Sequence, residues 1–122
     1  ITCTFDEEAK IPSHGFFVIS PNADSLITQL PLAVSYWEWD FGQELNNNGE
    51  TLILNRPNGS IADAVTFEDN DGWVTPPDGM GPSLEWMDPN LPNEAESSWA
   101  SSFVFGGTPG AANSMWGGSD PE

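Results

Sequence analysis

Positive charge is nearly missing from this chain. Lys10 and Arg56 are its two cations against nineteen acidic residues, a formal net charge of -17 over 122 residues. A surface of that sign repels a phosphate backbone, which excludes DNA and RNA as direct partners. Self-repulsion on this scale opposes compaction at low salt, and it is screened within a Debye length of about 8 Å at physiological ionic strength. The acidity fits a solubilising surface, adaptation to saline surroundings, or calcium-dependent assembly.

Cysteine and histidine are almost as scarce. Cys3 is the one cysteine, so no intrachain disulfide and no thiolate-rich metal site can form. It reads as a small apolar strand residue. His14 is the one histidine and sits in a Pro-Ser-His-Gly turn, without a nucleophile motif such as Gly-x-Ser-x-Gly. A zinc site needs three or four nitrogen or sulfur ligands, more than one His and one Cys supply. No apolar run approaches the ~20 residues of a membrane helix, which argues against membrane insertion, and no basic segment followed by an apolar one opens the chain.

Helical periodicity is weak as well, and what replaces it defines the fold class. Six Trp and seven Phe supply apolar surface for a core, in short β-branched and aromatic runs separated by Gly, Pro, Asn and Asp clusters. The pattern predicts an all-β chain forming one domain over residues 1–113, with 114–122 as tail or linker. Expected strands are Ile1 to Phe5, Phe16 to Ser20, Tyr36 to Phe41, Glu50 to Leu54, Ile61 to Phe67 and Ser83 to Met87. Phe16 to Ser20 is apolar on both faces and reads as a central strand. Pro21 to Ser25 carries turn and cap chemistry, and Leu26 to Leu30 can form one helical turn before Pro31. Arg56-Pro57-Asn58-Gly59-Ser60 reverses the chain into a hairpin. Asn58-Gly59-Ser60 also spells a glycosylation acceptor, but Asn-Gly at a hairpin apex has its own structural reason.

Two groups of residues are candidate binding sites. Alternation places Trp37, Trp39 and Phe41 on one face, either as core or as an exposed platform for carbohydrate or a partner protein. Asp69-Asn70-Asp71-Gly72 with Asp78 gathers short acidic side chains beside a glycine turn, the oxygen-rich chemistry that Ca²⁺ prefers. It is not an EF-hand, because Phe67 would fall at the first ligand position and no flanking helices are evident. Among nineteen carboxylates nothing singles out a catalytic pair. The chain reads as a non-enzyme.

Leu45-Asn46-Asn47-Asn48-Gly49-Glu50-Thr51-Leu52-Ile53-Leu54, followed by Gly59-Ser60-Ile61-Ala62-Asp63-Ala64-Val65-Thr66-Phe67, resembles the middle of a lamin-tail domain. Trp73, Gly81 to Glu85, Asp88-Pro89, Trp99 and a closing Thr108-Pro109-Gly110-Ala111-Ala112-Asn113 then follow in the order typical of that family. The resemblance implies an immunoglobulin-like β-sandwich with no catalytic residues, usually an accessory module of secreted or surface proteins. It assigns Leu52, Leu54, Val65, Phe67, Leu84 and Trp99 to an inter-sheet core, closed by Gly110 and Asn113. The family's opening strands, Ile-Asn-Glu and Trp-Ile-Glu-Leu-x-Asn, have no counterpart here. The expectation is that they lie on an upstream segment or that another subunit supplies a strand. The functional expectation is therefore a non-catalytic extracellular or cell-surface module for structure or attachment, a subunit of an assembly that self-associates or pairs with a protein through an exposed sheet edge. The alternative is an accessory module binding carbohydrate or calcium.

Overall fold

The computed structural model describes residues 2–31, 34–39 and 42–117. The described residues form six strands and almost no helix: β1 (Phe17–Ser20), a one-turn helix α1 (Ala23–Leu26), β2 (Ser35–Glu38), β3 (Gly49–Asn55), β4 (Ile61–Glu68), β5 (Pro82–Trp86) and, after a short 3-10 turn (Glu96–Ser98), β6 (Trp99–Phe105). The all-β class follows from the sequence pattern. The strands form three two-stranded sheets, β1 with β2, β3 with β4 and β5 with β6. The chain divides into two compact units, Ile1–Leu45 with Thr108–Ala112, and Asn46–Gly107 with Asn113–Glu122.

In the first unit β1 and β2 run parallel, with Phe17 opposite Ser35 and Ser20 opposite Glu38. A parallel pair needs a crossover, and residues 21–34 supply one that contains α1. Asn22 caps that helix by accepting the Ser25 N–H on its Oδ1 at 3.1 Å, so the turn starts three residues before the expected Leu26. β1 was expected to be central, yet among the described residues it pairs on one side only. Thr2 to Phe5 form no strand, and Ile1 lies outside the described residues. Gly110 has a φ of +77, and a Cβ there would meet Val34 Cγ1 at 3.0 Å and Pro31 Cδ at 3.2 Å. Only glycine combines that backbone angle with that approach.

The second unit holds the two antiparallel pairs. β3 and β4 pair from Gly49 opposite Glu68 to Leu54 opposite Asp63, and a shift after Leu54 brings Asn55 opposite Ile61, leaving Ala62 as the extra residue on β4. The Arg56 to Ser60 turn closes with Arg56 N–H donating to Ser60 O at 2.8 Å, and Asn58 Oδ1 accepts from both Ser60 N–H and Ser60 Oγ. The hairpin reading of that segment is met in full.

β5, β6 and the 3-10 turn that leads into β6 carry the best-buried of the described residues, Glu85, Ser98, Ala100 and Ser102. Trp86 faces Trp99 across the ladder, their rings stacked at 6.4 Å, and Trp73 lies 6.1 Å from Trp99 on another side. Trp99 Nε1 donates to Asn93 O at 2.8 Å, which satisfies the indole. Leu84 and Trp99 are half-buried, as are Val65 and Phe67 in β4. Leu52 and Leu54 are not: they stand 39% and 47% exposed, so the core position the family resemblance gives them is corrected.

Candidate functional site

The structure separates the acidic residues that the sequence offered as a calcium site. Asp69 accepts a hydrogen bond from Asn70 Nδ2 at 2.9 Å, Asp71 stands in a left-handed turn conformation at φ 54, and Asp78 belongs to a separate turn closed by its own N–H on Thr75 O. The described residues contain no group of three or more His, Cys, Asp or Glu placed to hold a metal ion. Trp37 packs edge-on against Phe5 at 5.7 Å, and Phe5 in turn against Phe17 at 5.8 Å. Trp39 donates its indole N–H to Gln43 O at 2.8 Å. Both indoles are half-buried, and Phe41 lies outside the described residues. His14 is an exposed turn residue with φ 55.

One buried polar cluster was not foreseen. Glu85 is 3% exposed, and its Oε2 accepts from Ser114 Oγ and from Met115 N–H, each at 2.9 Å. Ser114 Oγ also accepts the Phe103 N–H at 2.8 Å, while Asn113 Nδ2 donates to Trp86 O and Gly117 N–H to Met87 O. Ser114 to Gly117, read from sequence as the start of a tail, are thus tied to β5 and β6; residues 118–122 lie outside the described residues. The Ser114 hydroxyl has a carboxylate beside it but no histidine to relay a proton, so the cluster reads as a fastening. Glu85 Oε1 and Trp86 Nε1 are buried without a hydrogen-bond partner.

The feature with the chemistry of a binding surface is the β3–β4 hairpin. Alternation puts Leu52, Leu54, Val65 and Phe67 on one face, and Thr51, Ile53, Ala64 and Thr66 on the other, which Ile61 joins across the bulge as the partner of Asn55. Leu54 is 47% exposed on the first face and Ile53 53% on the second, so apolar groups face solvent on both sides. The Thr51 and Thr66 hydroxyls bond across the second face at 2.8 Å. A lone two-stranded ribbon is marginal in water, since it buries too little to offset the ordering of its backbone. Its two edges differ. β4 carries the bulge at Ala62 and the acids Asp63 and Glu68, and Asn93 Nδ2 reaches Asp63 Oδ1 at 3.1 Å. Among the described residues β3 carries no bulge, proline or lysine from Thr51 to Asn55, so three of the devices that commonly guard an edge are absent from it.

Comparison with known protein-family models, with curated proteins and with solved structures finds no match to this chain.

Proposed function

We infer that this chain is a non-catalytic module of extracellular or cell-surface type, serving structure or attachment, which pairs with a protein partner through a free sheet edge. The observation that carries this reading is the β3–β4 hairpin, apolar and exposed on both faces and unguarded along β3. Such a ribbon gains its missing burial and its missing backbone hydrogen bonds together when a strand is added. The lamin-tail resemblance, with its immunoglobulin-like sandwich, supports the same reading, because the segments that carry it include this hairpin and the β5–β6 pair. The acidic surface suits a module that works outside the cell in salt.

The test is the mass of the purified chain by light scattering across protein concentration and sodium chloride concentration. Reversible, concentration-dependent association is expected. A monomer under every condition, with fast amide exchange throughout β3, overturns the reading.

A further inference from the structure

The unguarded strand β3 is complementary to itself. Its residues with the one that follows read Glu50-Thr51-Leu52-Ile53-Leu54-Asn55-Arg56. When this segment lies antiparallel to its own copy with Ile53 on the two-fold axis, Leu52 faces the second copy's Leu54 and Thr51 faces its Asn55. Glu50 then faces Arg56, one of the chain's two cations. Every cross-strand pair in that register matches apolar with apolar, polar with polar, or acid with base. A shift by one residue sets Glu50 against Asn55 or Pro57 and loses both ion pairs.

We propose that two copies of this chain associate through β3, antiparallel and centred on Ile53, to form a continuous four-stranded sheet in the order β4–β3–β3–β4. The proposal rests on the reading of the chain as a module that pairs through a sheet edge, and it names the edge, the register and the partner. The arrangement is closed and isologous, since each copy presents the same strand to the other. Three observations support it. β3 is regular along its length, because the irregularity of the hairpin falls on Ala62 of β4. Leu52, Ile53 and Leu54 are all substantially exposed. The two-fold axis also keeps Leu52, Leu54, Val65 and Phe67 of both copies on one side of the enlarged sheet, doubling the width of that apolar face.

Glu50 already accepts the Asn46 N–H on Oε2 at 3.1 Å, and Arg56 already donates from one terminal nitrogen to Ile61 O at 2.6 Å. The same Arg56 nitrogen also reaches Ser60 Oγ at 3.4 Å, which leaves the rest of a group with five donors, and a carboxylate offers about four acceptor positions. The pairing opposes the repulsion of two chains of charge -17, so it strengthens as salt screens that repulsion. A cationic partner on the same edge would instead weaken with salt.

The experiment combines mass measurement with register-specific cross-linking. Ile53→Cys in a Cys3→Ser background places the two thiols opposite each other at the axis, where antiparallel partners sit with Cα atoms roughly 4.5–5.5 Å apart, within disulfide range. Thr51→Cys in the same background leaves its thiols roughly 13 Å apart along the strands. Mild oxidation is expected to link the first variant into dimers and not the second. Ile53→Lys is expected to abolish association while leaving the circular dichroism spectrum unchanged. Arg56→Glu raises the dissociation constant about tenfold through the two symmetry-related pairs, and Glu50→Arg in the same chain restores it. That rescue separates the intermolecular pair from any weakening of the hairpin turn.

Equal cross-linking of both cysteine variants, or association that survives Ile53→Lys, overturns pairing through β3 and leaves the wider reading of an associating module standing. Association that falls as salt rises overturns the second copy as partner. A chain that stays monomeric throughout overturns both.

Discussion

Removing the Glu85 carboxylate tests whether the segment after β6 is held by that one buried group. In Glu85→Ala the Ser114 hydroxyl and the Met115 N–H each lose an acceptor at 2.9 Å. Hydrogen bonds to a charged group contribute about 1.5–3 kcal/mol each. Against that loss stands a gain: Oε1 is buried without a partner, and its removal recovers roughly 1–3 kcal/mol of desolvation. The balance is a destabilisation of about 2 kcal/mol, to which the small cavity adds. In Glu85→Gln the amide oxygen can take the place of Oε2, but its bonds are neutral and its NH2 enters the site where Oε1 finds no partner, so the expected loss is of similar size. The assay is urea unfolding followed by tryptophan fluorescence, since Trp86 is next in sequence and stacks on Trp99 at 6.4 Å. Hydrogen exchange at Met115 and Phe103 supplies a local readout, because the Met115 amide donates to Glu85 and the Phe103 amide to the Ser114 hydroxyl that Glu85 anchors. A double-mutant cycle with Ser114→Ala is expected to give a coupling of about 1 kcal/mol. If Glu85→Ala shifts stability by less than about 0.5 kcal/mol, with unchanged exchange at Met115 and Phe103, the fastening is not formed as described.

Gly49 and Gly59 both have positive φ, but a Cβ at Gly49 would meet Phe67 O at 2.6 Å whereas one at Gly59 meets nothing within 4 Å. Gly59→Ala should cost about 1–2 kcal/mol through its backbone angle alone, and Gly49→Ala roughly twice that, as read by thermal unfolding. Trp99→Phe keeps a ring in the tryptophan cluster but removes the bond from Nε1 to Asn93 O at 2.8 Å; about 1–2 kcal/mol of stability and the near-ultraviolet dichroism of the Trp86–Trp99 pair should be lost. Raising sodium chloride from 0.05 to 1 M should raise the melting temperature by roughly 5 °C, because screening relieves the repulsion among the excess acids. A falling melting temperature would mean that specific ion pairs outweigh that repulsion.

The sequence alone determined the features that depend on neighbours along the chain. Alternation in Glu50 to Leu54 and Ile61 to Phe67, with Asn58-Gly59 between them, specified the β3–β4 hairpin, since both turn and register are local. Residue content determined the acidic surface and the exclusion of cysteine and histidine metal chemistry. Asp69, Asp71 and Asp78 show where that reasoning stops, because proximity in sequence did not gather their carboxylates. Tertiary structure alone decided which apolar faces are covered. Leu52 and Leu54 carry the same pattern as buried strand residues, yet they stand exposed, because alternation says that a face is apolar and not what packs on it. The same holds for Glu85, a charged residue in an alternating strand that ends up buried, with Ser114 and Met115 returning to it from a distant part of the chain. It holds also for β1 and β2, whose parallel pairing follows from the path of the crossover between them. Burial and strand partnership are properties of what meets in space, and a hydrophobic pattern fixes only one side of each meeting.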